Sequence, residues 1–253
     1  WAQLDERVRG LIDGLRARGL DEGDSVVAML GNQVELVEVS LACMQAGWLL
    51  VPLNWHWVAD EVRYVLDDAG AAAVVVDARW WDVVREALAA PDAPEVPLRI
   101  VVGDVAPTDD AIAFVDVATT DGDRGTAADA RGGPMFYTSG TTGRPKGVRS
   151  GLAQLGGPPE IWTLMAHSLR PVLDLADGDG ADGPAAVQGI CGPMYHSAQW
   201  VVSMFALLCD ATLVLQHRFD PEDLLRLVDE HGVTNLHLVP TQMSRLLRVA
   251  SER

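Results

Sequence analysis

Basic residues are scarce in this 253-residue chain: 19 lysines and arginines stand against 36 aspartates and glutamates, a formal net charge of −17. Sequence-independent binding to nucleic acid or to an anionic membrane needs clustered Lys and Arg, so this balance argues against both. Cysteine is sparse as well. Cys43, Cys191 and Cys209 are odd in number, far apart and set in apolar surroundings. That pattern argues against a disulfide framework or a cysteine-built metal site, and suits free thiols in a reducing cytoplasm. No apolar run approaches the length of a membrane span, no secretory signal is visible, and no internal repeat stands out.

What is present is globular material, 49% hydrophobic and 22% charged, enough for one large domain or two small ones with a substantial core. Leu4, Val8, Leu11, Ile12 and Leu15 recur at helical spacing, with Gly19 as a C-cap. The chain therefore opens at Trp1 within a helix. The patterns then predict strand 25–29, helix 34–46 with Asn32 as N-cap, strand 49–52, helix 60–68, strand 71–76, helix 80–88 and strand 98–102. Strands apolar on both faces, alternating with helices, imply an α/β fold of layered, mostly parallel sheets flanked by helices.

Residues 1–105 are read as a first α/β subdomain and residues 106–132 as an irregular acidic linker. Residues 133–253 form a second α/β subdomain. It is expected to hold a helix over 159–173, strand 186–191, helix 198–208, strand 212–215, helix 221–231, strand 234–239 and a last helix from Pro240. The acidic tip at 177–183 fails the register of a calcium loop at Ala181 and reads as a solvated turn.

The densest chemistry lies in residues 137–147, YTSGTTGRPKG, which follow the apolar approach Gly133-Pro134-Met135-Phe136. Gly140 and Gly143 let backbone N–H groups approach an anion closely. Ser139, Thr141 and Thr142 can donate to phosphate oxygens or help hold a cation, and Lys146 adds a point charge. The run has the chemistry of a polyphosphate cradle, the alternative being a Gly/Thr-rich surface turn, and it is not the common P-loop, whose lysine follows a glycine and precedes a hydroxyl residue.

TSGTTGRPKG resembles the phosphate-loop motif of the adenylate-forming superfamily of acyl-CoA synthetases, luciferases and peptide-synthetase adenylation domains. GWLLVPLN (47–54), EVRYVLDDAG (61–70), GPMYHS (192–197) and residues 219–246 resemble further family segments in the family's order, and the last of these is nearest to acyl-CoA synthetases. The resemblance covers nearly the whole chain. It implies ATP-dependent activation of a carboxylic acid, expected to be a fatty acid, to an acyl adenylate, followed by thioesterification to coenzyme A. Alternatives are delivery of the acyl group to a carrier protein and a non-catalytic nucleotide-binding protein.

The implied roles follow by residue. Thr138, Ser139, Gly140, Thr141, Thr142, Gly143 and Lys146 bind ATP, with Thr141 near Mg²⁺ and Lys146 also catalytic or loop-stabilising. His196, between a buried strand and an apolar helix at the mouth of a sheet, is implied as a catalytic and pocket residue near the carboxylate and α-phosphate. Tyr195 and Trp200 border an acyl pocket, or else belong to ordinary core. Trp55, His56 and Trp57 read as packing. The expected partners are small molecules (acid, ATP and CoA), with no nucleic acid; a homodimer is compatible with the sequence. The family's later motifs, which bind adenine and ribose and supply a catalytic lysine from a mobile domain, have no counterpart before Arg253. The resemblance thus implies the N-terminal part of a longer enzyme.

Overall fold

The computed structural model describes residues 1–104, 110–118, 132–138, 144–149, 164–165, 167–171 and 186–251. Two compact units are present, one of residues 1–30 and 34–157, the other of residues 31–33 and 158–253.

The first unit is built on a seven-stranded sheet of order β5-β4-β3-β1-β2-β6-β7. Its strands are β1 (Ser25–Met29), β2 (Leu49–Pro52), β3 (Ala71–Asp77), β4 (Leu98–Val102), β5 (Ile112–Ala113), β6 (Gly133–Thr138) and β7 (Lys146–Arg149). Every pairing is parallel except that of β6 with β7. Helices α1 (Ala2–Arg16), α2 (Val34–Ala46), α3 (Ala59–Asp68), α4 (Trp81–Ala89) and the one-turn α5 (Phe114–Val117) connect them.

The continuous apolar runs of β1 to β4 are explained by burial on both faces. Val27, Met29, Val51, Val74, Val76 and Val101 share one core with Val62, Val65 and Leu66 of α3 and Trp81 and Val84 of α4. The alternate residues Val26, Ala28, Leu50, Val75 and Ile100 are equally buried and point to the opposite face. Helices α1 and α2 pack together. Between them Glu38, 1% exposed, is matched by Arg7, whose guanidinium donates to both carboxylate oxygens. After α1, Gly19 takes φ 95°, and the Gly19 and Leu20 N–H groups close on the Arg16 and Leu15 carbonyls.

Strand β1 lies between β2 and β3, so the crossover from β1 to β2 and that from β3 to β4 run in opposite directions along the sheet. Such a reversal opens a crevice at the carboxyl ends of the strands. Strand β6 continues this arrangement beside β2, with Leu49 opposite Gly133 and Leu50 opposite Pro134. Its carboxyl end, which leads into the TSGTTGRPKG run, therefore lies at that same edge. The stretch expected to open a second subdomain at residue 133 thus sits on the first sheet. The expected linker also carries structure: β5 extends the sheet beside β4, and α5 packs near α1. Residues 106–109 and 119–131 of that linker lie outside the described residues, as does the tip at 177–183.

The second unit holds a three-stranded parallel sheet of order β10-β8-β9, from β8 (Val187–Ile190), β9 (Thr212–Leu215) and β10 (Asn235–Leu236). Its helices are α6 (Ser197–Leu208), α7 (Pro221–His231) and α8 (Pro240–Ser251). Most of the expected helix 159–173 lies outside the described residues. Helix α7 begins with the Asp220 carboxylate accepting from the Asp223 N–H at 2.9 Å and Pro221 in the first turn, and ends at Gly232 in the left-handed region. The strand expected over 234–239 shrinks to two residues.

Asn32 does not cap α2. Its side chain, 4% exposed, donates to the carbonyls of Gly192 (2.8 Å) and Gln216 (3.0 Å) and accepts from the Met194 N–H (2.9 Å). These longer-range bonds draw residues 31–33 into the second unit.

Candidate functional site

The candidate residues fall into two groups, one in each unit. In the first, β6 and β7 form an antiparallel pair whose ends frame the glycine- and hydroxyl-rich run, with Thr138 opposite Lys146. Both residues are exposed. Ser139, Gly140, Thr141, Thr142 and Gly143 lie outside the described residues. Lys146 is the sole lysine of the chain.

Each arm of this hairpin is tied to α3. The Tyr137 hydroxyl donates to the Asp68 carboxylate at 2.6 Å, and the Tyr64 hydroxyl donates to the Pro145 carbonyl at 3.1 Å. The Arg144 guanidinium stands over the Tyr64 ring, 5.3 Å from its centroid. Burial, then the neighbouring Asp68 carboxylate, pushes the Tyr137 phenol well above its ordinary pKa, so it remains a donor. Sequence reasoning missed Tyr64 and Asp68. The only local signal was their spacing of four residues on a helix within a family-like segment.

In the second unit, residues 193–196 make a turn closed by the His196 N–H on the Pro193 carbonyl at 3.0 Å. His196 then starts α6, accepting from the Trp200 N–H at 3.1 Å. The exposed His196 ring leans on Tyr195, with centroids 4.5 Å apart. Partial desolvation lowers the His196 pKa, so the imidazole is neutral at neutral pH. Trp200 is 2% exposed and packs as core.

Two side chains missed in the sequence hold this turn. Asn32 fixes the backbone of Gly192 and Met194, as described. Gln199, 4% exposed, lies against Gly192, where an added Cβ would come within 2.5 Å of its amide nitrogen. That nitrogen donates to the His237 carbonyl and meets His237 Nδ1, each at 3.0 Å. Gln199 Oε1 has no hydrogen-bond partner among the described residues.

Among the described residues, no group of three or more His, Cys, Asp or Glu is placed to hold a metal ion, and no helix is long and apolar enough to cross a membrane. All three cysteines are buried; burial raises the Cys43 pKa far above its ordinary value and pushes Cys191 up to about 11, which keeps these two as thiols at neutral pH. Trp55 stacks on Trp80 with centroids 5.4 Å apart, and both pack against the core, as does Trp57.

Comparison with known proteins bears on this arrangement. The family described as AMP-binding enzyme matches residues 1–253. A 3-oxocholest-4-en-26-oate–CoA ligase of Rhodococcus rhodochrous is 28% identical, covering 100% of this chain and 46% of the ligase. A feruloyl-CoA synthase of Amycolatopsis is 32% identical, covering 95% of this chain and 43% of the synthase. A solved Mycobacterium tuberculosis fatty acyl CoA synthetase superposes with a TM-score of 0.75 at 22% identity, over 97% of this chain and 44% of that one, which shows the shared α/β fold. The chain spans less than half the length of each of these relatives.

Proposed function

Since the chain belongs to the AMP-binding enzyme family, we propose that it contributes to an acyl-CoA ligase that activates a carboxylic acid at the expense of ATP. A carboxylate oxygen attacks the α-phosphorus and pyrophosphate leaves. The thiol of coenzyme A then attacks the acyl carbon and AMP leaves. The observation that carries the reading is the TSGTTGRPKG run, hung between β6 and β7 at the carboxyl edge of a parallel sheet. A hydrophobic acid, expected to be a fatty acid, is the proposed substrate, and the cytoplasm is the proposed compartment.

The chemistry asks the protein for positioning and charge compensation, because two anions must meet and a polyanion must depart. Backbone N–H groups of residues 139–143 are the proposed grip on the β- and γ-phosphates. The hydroxyls of Thr138, Ser139, Thr141 and Thr142 add to that grip. Lys146 offers the sole ammonium among the chain's side chains. Mg²⁺ would arrive on the triphosphate, which suits an ion that keeps its waters and takes few protein ligands, and Thr141 is the residue proposed beside it. Neutral His196 is proposed to lie near the carboxylate without adding a competing charge, and Tyr195 to border the acyl group.

The test is pyrophosphate exchange into ATP by the intact protein across a panel of fatty and aromatic acids, followed by addition of CoA. Acid-dependent exchange and CoA-dependent release of AMP are the expected results; exchange absent with every acid overturns the reading. Amine-directed labelling read out by peptide mapping reports on Lys146 itself, at the end of the loop. Mg-ATP is expected to slow that labelling, and an unchanged rate removes Lys146 from the site.

A further inference from the structure

One face of helix α3 reaches both arms of the phosphate loop. Tyr64 and Asp68 are four residues apart and so lie above one another on that face. Tyr64 holds the Pro145 carbonyl, immediately before β7, and Asp68 holds the hydroxyl of Tyr137, the penultimate residue of β6. The two strands are thus gripped where they enter and leave the loop.

Gly147 completes the arrangement. It is the register partner of Tyr137, and a Cβ there would lie 3.1 Å from Tyr137 Cζ, 3.2 Å from its hydroxyl oxygen and 3.0 Å from Met135 Sδ. The missing side chain leaves room for the tyrosine ring beside β7 on its way to Asp68. Strand β7 needs such support because all four of its residues are exposed and, among the described residues, it pairs with β6 alone. A loop that binds a triphosphate through backbone N–H groups must have its ends fixed, or the ligand bears the entropy of ordering them.

We propose that Tyr64, Asp68 and Tyr137 are positioning residues that set the separation of the two arms of the phosphate loop, and that Gly147 serves this clamp by clearing space for Tyr137. The inference rests on the ATP-binding reading above, while the clamp itself can be measured without nucleotide.

The experiment compares Tyr64→Phe and Tyr137→Phe with the wild type in the intact protein. Each change keeps the ring and removes one hydrogen bond. Amide hydrogen exchange over residues 144–149 without ligand is expected to accelerate about tenfold, the loss of one net hydrogen bond, with β1 to β4 unaffected. The KM for ATP in acid-dependent pyrophosphate exchange is expected to rise by a similar factor, with the KM for the acid unmoved. Gly147→Ala is expected to reproduce both effects, and adding Tyr137→Phe to it to change little more, because both act through the same ring. Unchanged exchange at 144–149, or equal acceleration through the whole sheet, overturns the clamp. An ATP KM that stays put in an active enzyme overturns the positioning role. Faster local exchange in a protein whose wild type shows no acid-dependent activity upholds the clamp and overturns the ligase reading instead.

Discussion

Replacing Asn32 should loosen the second unit more than any cap residue could. Its side chain makes two donated bonds and one accepted bond, all to backbone groups of residues 192, 194 and 216. Truncation to alanine leaves those groups buried and short of a partner. An orphaned group of this kind costs about 1–3 kcal/mol, and since the three are neighbours the sum falls to about 3–5 kcal/mol. With a urea slope of about 2–3 kcal/mol per molar, the midpoint should drop by about 1–2 M. Asn32→Asp is the sharper probe. It keeps the acceptor for the Met194 N–H but turns carboxylate oxygen toward two carbonyls. The introduced carboxyl should therefore titrate above the usual aspartate range in the folded state. Its proton is then bound more tightly folded than unfolded, so the variant's deficit relative to wild type should shrink as pH falls toward 4 and be largest at neutral pH. The assay is urea unfolding of wild type and both variants between pH 4.5 and 7.5. A variant within about 0.5 kcal/mol of wild type at pH 7, the range of an ordinary surface change, would refute the assignment of these three bonds.

Gly132→Ala should be severely destabilising, because its Cβ would fall 1.9 Å from the Cys43 carbonyl oxygen; a melting temperature equal to wild type would show that the segment before β6 relaxes freely. His196 should titrate below the ordinary histidine range by NMR. Its stability contribution should be complete above the unfolded pKa and be lost as pH falls toward the folded one; a midpoint raised above that range would contradict its desolvation. In acid-dependent pyrophosphate exchange, the acidic limb due to His196 should disappear in His196→Gln. All three cysteines are buried, so a thiol reagent at pH 8 should modify them only after denaturation; stoichiometric labelling of the native protein would refute that packing.

Local chemistry made much of the architecture legible. The limits of β1, α2, β2 and α7 follow from apolar runs bounded by recognisable breaks, such as Asp220-Pro221 at one end of α7 and Gly232 at the other. What escaped was set by distant partners. Asn32 has the composition of an N-cap, yet its bonds go to residues 160 and more positions away. The approach to the phosphate loop reads as a new block, and only its pairing with β2 assigns it to the first sheet. Residues 112–117 sit in acidic, alanine-rich sequence and are ordered by β4 rather than by their own propensity. At the candidate site, the loop motif was plain from glycine and hydroxyl density. The helix that holds its arms was not, because nothing in residues 64 or 68 announces a partner beyond residue 136.

The position of β6 also has a consequence for the order of assembly. Strands β1 and β2 meet through Ser25 and Leu49, and β3 and β4 through Ala73 and Leu98, each closing a short crossover. Strand β6 must return to residue 49 from residue 133, with β3, β4 and β5 lying between them in the chain. Loop closure costs more over that span and is repaid by few pairs, so the docking of β6 comes late, on a sheet that already exists. During synthesis the unpaired side of β2 stands open until then. The strand that bears the phosphate loop is also the one that closes that edge.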